Sequence, residues 1–233
     1  MPGGLWADLA DLVLPVECAG CRAQVPLRQG VCVDCAATLA ALSPAPSRPV
    51  PAPAGLPPCV ALGGYGGVLR EVLLAYKERG RHGLARPLGA LLAEVVAVAV
   101  GEVRPVVLVP VPDTAAAARA RYGDHLGRLA RHTAVRLRAA GWPVVVRRPL
   151  RASPRPDSVA LDRAGRAAVA SSAFRLRATR RGTVGDPGAA LVVLDDILTT
   201  GATLAAVSRA LTAGGSPPTV AAVLAATRRR HLS

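Results

Sequence analysis

The run Leu191-Val192-Val193-Leu194-Asp195-Asp196-Ile197-Leu198-Thr199-Thr200-Gly201-Ala202-Thr203 limits what this chain can fold into more than any other. Its apolar start reads as a short strand, Leu191–Asp195, that ends in acids. A Thr/Gly loop follows, then a helix from about Leu204 to Ala213, stopped by Gly214-Gly215. This order brings two carboxylates and a row of backbone N–H groups to one edge of a sheet. Carboxylates hold ribose hydroxyls or a magnesium ion, and N–H groups at a helix N-terminus hold phosphate. The combination suits a ribose 5-phosphate. A plainer reading makes Asp195 and Asp196 an acid pocket or a helix start, with Thr199, Thr200 and Thr203 as capping residues. The full pattern Asp-Asp-x-x-Thr-Thr-Gly-x-Thr is more restrictive than that. It also lacks the Gly-x-x-x-x-Gly-Lys-[Ser/Thr] run of a nucleotide-triphosphate loop.

Upstream, strand and helix patterns alternate. Cys59–Gly64 predicts a strand, Val68–Glu78 and Leu84–Val100 helices, and Val106–Val111 a strand closed by Pro110 and Pro112. Thr114–Ala140 reads as a long Arg-rich helical region, Val144–Arg148 as a strand, and 149–158 as an exposed basic loop. Leu161–Ser172 is weakly helical, and Thr219–Ala226 is a last strand. The fold class is therefore α/β, a parallel sheet with helices on both faces. Ligands of such sheets sit beyond the carboxyl ends of the strands, where Asp195 and Asp196 lie. The apolar stretch Leu84–Val100 is interrupted by Arg86, Pro87 and Glu94 and is shorter than the ~20 residues of a membrane span. It predicts a buried helix. With no basic leader segment at the N-terminus, the expected location is cytoplasmic, with no membrane span.

Cys18-x-x-Cys21 and Cys32-x-x-Cys35 form two knuckles with ten residues between them. Two such turns supply four thiolates to one tetrahedral ion, and a closed four-thiolate shell implies structural zinc. The alternative is a pair of disulfides, which needs an oxidising compartment. Cys59 lies outside the pattern and reads as a small buried residue. The expected organisation is an N-terminal helix and cysteine module over 1–42, a Pro/Ala-rich linker over 43–58, and the main domain over 59–233.

The chain has 233 residues, 51% of them apolar, so it can bury a core, and aromatics at 3% leave that core to Ala, Val and Leu. The formal charge is +14, with 28 Arg and the single Lys77. Residues 119–181 hold sixteen Arg against Asp124, Asp157 and Asp162, a net of +13. That concentration points to anionic partners, phosphates or nucleic acid, with a solvated Arg face as the simpler possibility.

The four cysteines, the linker and the Asp-Asp-x-x-Thr-Thr-Gly-x-Thr loop together resemble the ComF family, phosphoribosyltransferase-like proteins associated with competence and DNA uptake. Tyr65, Leu69, Lys77 and Gly80, the Val109-Pro110-Val111-Pro112 run, Arg119-x-Arg121, Leu161 and Arg166 extend the resemblance over nearly the whole chain. Two places differ. Arg121 is followed by Tyr122-Gly123-Asp124 where the family runs Arg-Gly-[Phe/Tyr]-[Asn/Asp]. Ser158 and Val169 stand at the positions of its Gln and Asn. The resemblance implies a type I phosphoribosyltransferase fold that binds PRPP with Mg2+ and transfers a phosphoribosyl group to an unknown acceptor, releasing pyrophosphate. Asp195 and Asp196 would contact the ribose hydroxyls, directly or through Mg2+. Thr199, Thr200, Gly201, Ala202 and Thr203 would cradle the 5-phosphate. Arg119, Arg121 and Arg166 would hold pyrophosphate or close over the site. The rival expectation is a non-enzymatic protein of DNA uptake that keeps the sugar-phosphate pocket and meets single-stranded DNA or the uptake machinery.

Overall fold

The computed structural model describes residues 17–113, 123–152, 174–177 and 184–227. The expected N-terminal helix (residues 5–14), the Leu161–Ser172 segment, Arg119, Arg121 and Arg166 lie outside these residues.

The sheet is built from β1 (Ala45–Pro46), β2 (Cys59–Gly64), β3 (Val106–Pro110), β4 (Val144–Val146), β7 (Ala190–Leu198) and β8 (Val220–Ala226), in the order β1-β2-β8-β7-β3-β4. All neighbours are parallel except the edge pair β1–β2. Every residue of β3 and β8 is buried. Such unbroken apolar runs belong to strands covered on both faces. Strands β5 (Leu150–Ala152) and β6 (Phe174–Leu176) form a separate antiparallel ribbon. The basic loop expected at 149–158 therefore begins as a strand, which its short length and the charge of Arg151 concealed.

The helices are α1 (Val33–Ala40), α2 (Gly67–Lys77), α3 (Ala85–Val100), α4 (His125–Ala139) and α5 (Ala202–Ala213). A 3-10 turn, His82–Leu84, precedes α3. The stretch His82–Val100 has the length and apolarity to cross a membrane, at a mean hydropathy of 1.7. Here it lies along β2, β8 and α4, with Leu88, Leu92, Val95 and Val96 wholly buried. The helical region expected at Thr114–Ala140 is helical only from His125 among the described residues, because Asp124 caps the helix through its side chain and Gly127 N–H.

The sheet has a topological switch. From β2 the chain crosses to β3 and then to β4, moving one way along the sheet. From β7 it returns to β8, moving the other way. Parallel crossovers are right-handed, so α3 and α4 cover one face and α5 the other. The crevice opens between β3 and β7, where the chain leaves in opposite directions.

Residues 43–58, read as a linker, are tied to this sheet. Ala45 pairs with Ala61 and Ser47 N–H donates to Cys59 O at 2.9 Å. Leu56 is buried, and the Arg209 guanidinium of α5 donates to Ala54 O at 2.8 Å. Cys59 is buried as expected, its thiol donating to Pro57 O.

Candidate functional site

β3 and β7 pair from Val106↔Ala190 to Pro110↔Leu194, and Val111 N–H adds one bond to Leu194 O at 3.0 Å. There β3 leaves. β7 continues beside β8 alone, with Asp195↔Val223, Ile197↔Ala225 and Leu198↔Ala226. The strand expected to stop at Asp195 thus runs to Leu198. The acids sit in its last residues, just past the point where β3 departs. Alternation along the strand turns consecutive side chains to opposite faces, which separates the two acids.

Asp196 is buried, and its carboxylate is already engaged. Oδ2 lies 2.6 Å from Lys77 Nζ, at the end of α2, and 3.3 Å from His125 Nε2, at the start of α4. His125 Nδ1 lies 2.9 Å from Asp113 Oδ2, on the loop leaving β3. The groups form a chain Asp113–His125–Asp196–Lys77 of alternating charge. Tyr76 closes its back: its hydroxyl donates to His125 O at 2.5 Å, and its ring meets the imidazole edge-on. Burial opposes a charge on His125, but the Asp113 and Asp196 carboxylates beside it outweigh that and lift the imidazole to about 9. Burial would also raise Asp196, yet His125 and Lys77 hold it well below the usual carboxylate range.

Asp195 is half-buried. Burial and the neighbouring Asp196 carboxylate push its pKa up. Its Oδ1 accepts from Asp196 N–H at 2.9 Å. The two acids therefore have different surroundings: Asp196 is held in a buried charge chain, and Asp195 is the less buried of the two.

The loop after β7 is Thr199-Thr200-Gly201. Thr199 and Thr200 are exposed, and Thr200 Oγ1 accepts from Ala202 N–H at 3.4 Å. Gly201 stands at the N-cap with φ of 75°, and a Cβ there would press on Leu56 and Pro49. A positive φ under that contact admits little but glycine. Ala202 and Thr203 already belong to α5, two residues earlier than the expected start at Leu204. Ala205 N–H is bonded to Gly201 O, so the Thr203 and Leu204 amides lie ahead of the helix's own carbonyl ladder. Those amides, the Thr hydroxyls and Asp195 share one sheet edge. Arg119, Arg121 and Arg166 fall outside the described residues.

Lys77, Asp113 and His125 were missed as site residues, because they converge from three distant segments. One signal existed: Lys77 is the single lysine beside 28 arginines. A compact ammonium suits a buried point contact better than a planar fork does.

The second centre is the cysteine cluster. The Sγ atoms of Cys18, Cys21, Cys32 and Cys35 all lie within 4.8 Å of one another. All five cysteines are free in the structure. Cys21 Sγ and Cys32 Sγ are 3.7 Å apart. Tetrahedral ligands at a zinc–sulfur length of about 2.3 Å stand roughly 3.8 Å apart, so the spacing fits. Cys32 N–H donates to Cys18 Sγ at 3.2 Å and Cys35 N–H to Cys32 Sγ at 3.4 Å. Burial opposes a charge on Cys18, but the backbone N–H groups of Cys21, Cys32 and Gly20 overcome it and hold the thiol at about 6. Burial and the neighbouring thiols push Cys35 the other way. These four cysteines can hold a metal ion. The module is pinned to the main domain by Arg81, which donates to Glu17 O at 2.7 Å and Gly30 O at 3.1 Å, and by the Arg22–Glu71 pair at 3.3 Å.

No family model matches the chain, and no curated protein matches it.

Proposed function

We propose that the chain is a ComF-like member of the type I phosphoribosyltransferase fold that binds PRPP with Mg2+ in the β3/β7 crevice. The observation that carries this reading is the position of Asp195 and the Thr199–Thr203 loop, side by side at the switch point of a parallel sheet. Asp195 hydrogen-bonds the ribose hydroxyls or carries the metal. The α5 amides and Thr hydroxyls take the 5-phosphate. Asp196, held by Lys77 and His125, fixes the strand end and the entry of α4 rather than touching the sugar. Magnesium, when bound, neutralises the diphosphate as charge develops there. The C1–oxygen bond to pyrophosphate breaks, the acceptor's nucleophile bonds to C1, and Arg119, Arg121 and Arg166 receive the leaving charge. In the cysteine module zinc is the metal, and it acts structurally.

Pyrophosphate release from PRPP and Mg2+, measured across amine and nucleobase acceptors, tests the transfer step. Turnover with one acceptor, lost in Asp195→Asn, is the expected result. PRPP bound without release across the panel removes the enzyme reading. No PRPP binding at all removes the site reading too.

A second reading has one observation of its own. Arg151 and Arg175 face each other across the β5–β6 ribbon, both exposed. Like charges directly opposite destabilise a pair of strands unless an anion lies over them. On this reading the ribbon, with Arg147 and Arg177, meets single-stranded DNA in uptake, and the protein works in the cytoplasm beside that machinery. Affinity for an oligonucleotide should then fall steeply with salt and show little sequence preference. Fluorescence anisotropy at low salt without a binding signal removes it.

A further inference from the structure

A cleft of about 450 Å³ opens beside the carboxyl end of β4, lined by Asp124, Arg128, Arg131, Val146 and Arg148. It is separate from the Thr199–Thr203 loop. The two regions approach each other at the first turn of α4, where His125 contacts Asp196 and its neighbour Asp124 belongs to the cleft. We propose that this cleft is a second ligand site, specific for the phosphate or diphosphate group of a small molecule.

Three features show that the arginines are arranged rather than scattered. Asp124 is divided between two tasks. Its Oδ1 accepts from Gly127 N–H at 2.7 Å, capping α4, and its Oδ2 pairs with Arg148 Nη1. Arg148 is therefore held at the start of the helix. Gly127 makes this possible, because a Cβ there would overlap the Arg148 guanidinium. Arg128 is steadied from another side, with Nη1 3.0 Å from His82 Nδ1 on the turn before α3. Two guanidinium groups are thus positioned before any ligand arrives, and Arg131, one turn along α4, adds a third.

The chemistry selects the ligand class. Among the described lining residues, three guanidinium groups stand beside one carboxylate. Planar forks match phosphate oxygens with two parallel N–H bonds each. The volume lies in the range of small-molecule pockets, roughly 300–1,000 Å³. Single-strand nucleic acid would call for aromatic platforms, and none of the lining residues is aromatic. The ligand is therefore a small phosphate ester or a diphosphate, and the site does not depend on the assignment of the β7 loop.

Calorimetric titration of inorganic pyrophosphate into the full-length protein tests this. Arg131→Gln combined with Arg148→Gln should weaken binding by about ten-fold or more, given the strength of charge-assisted forks. Gly127→Ala is a second variant: its Cβ would displace the Arg148 guanidinium and press on the capping Asp124 carboxylate, so affinity should fall by roughly three-fold or more together with some thermal stability. Pyrophosphate binding that is absent, or equal in the arginine variants and the parent, overturns the proposal. So does loss of binding in Asp195→Asn alone, which would move the anion to the β7 crevice. A single-stranded oligonucleotide that displaces pyrophosphate at equal phosphate concentration, and binds more tightly, would reassign the cleft to nucleic acid. PRPP binding can fail without affecting any of these outcomes.

Discussion

The cysteine centre and the β3/β7 crevice are both built from four converging side chains, yet they are held together in opposite ways. Cys18, Cys21, Cys32 and Cys35 come from eighteen consecutive residues. The module around them has few large buried residues, Val31 and Leu39 among them. On the zinc reading, its order depends on what the thiols bind. Asp113, His125, Asp196 and Lys77 come from segments up to 119 residues apart (196 − 77) and lie beneath a full apolar sheet. There the sheet positions the charges, and the charges neutralise one another without a bound ion. On the proposed reading, the contrast separates a centre that needs its metal to fold from one that is folded without a ligand.

Metal removal should give the largest effect. The purified protein should carry one zinc per chain, and Cys21→Ser should lose it. A structural zinc in a small knuckle contributes on the order of 10 kcal/mol to local folding. Chelation should therefore expose residues 17–42 to hydrogen exchange while the sheet stays protected. Protein with free thiols and no metal, or an exchange pattern unchanged by chelation, would erase the contrast.

Lys77→Met should follow in size. It leaves Asp196 buried with His125 as its only counter-charge, a loss of about 3 kcal/mol. Adding Asp196→Asn should recover much of it, because the unpaired charge is then gone. Chemical denaturation of the single and double variants measures this, and a neutral Lys77→Met would show that the chain is not a coupled unit.

The pH dependence has a definite sign. His125 titrates at about 9 when folded, against 6.5 as its ordinary value. Its stabilisation is complete below pH 6.5 and is lost as pH rises toward 9, on the order of 3 kcal/mol at about 1.4 kcal/mol per pKa unit. Asp196 is depressed, so its contribution is present above the usual carboxylate range and disappears in acid. Melting temperatures of the parent should fall between pH 6.5 and 9, and those of His125→Gln should change less. Parallel curves would contradict the charge chain.

Gly201→Ala should be the smallest change, about 1–2 kcal/mol for a Cβ at a left-handed position pressed on Leu56. It should cost more in ligand affinity than in stability. An equal loss in both would mean that the loop is structural only.

Legibility in the sequence followed the same divide. The knuckles were readable because metal spacing is local. The central strands β2, β3, β7 and β8 were readable because the buried stretches of parallel strands are apolar runs, unbroken in β3 and β8. Helix α1 and the edge strand at Ala45–Pro46 were not. The first is a short helix whose N-cap is the cysteine Cys32, and the second is a two-residue pairing inside a proline-rich stretch. Asp195 and Asp196 were readable as a pair but not as two different residues. What distinguishes them is Lys77 and His125, and no local pattern links positions 77, 125 and 196.

The central claim is that Asp195, and not Asp196, faces a ligand at the switch point of the sheet. Calorimetric titration of PRPP with and without Mg2+ tests it most directly, on the parent and on Asp195→Asn with its fold checked by circular dichroism. The expected result is Mg2+-dependent binding by the parent, weakened about ten-fold or more in Asp195→Asn at an unchanged melting profile, as befits loss of a charge-assisted contact. PRPP binding that is absent from the parent, or equal in the two proteins, would contradict it.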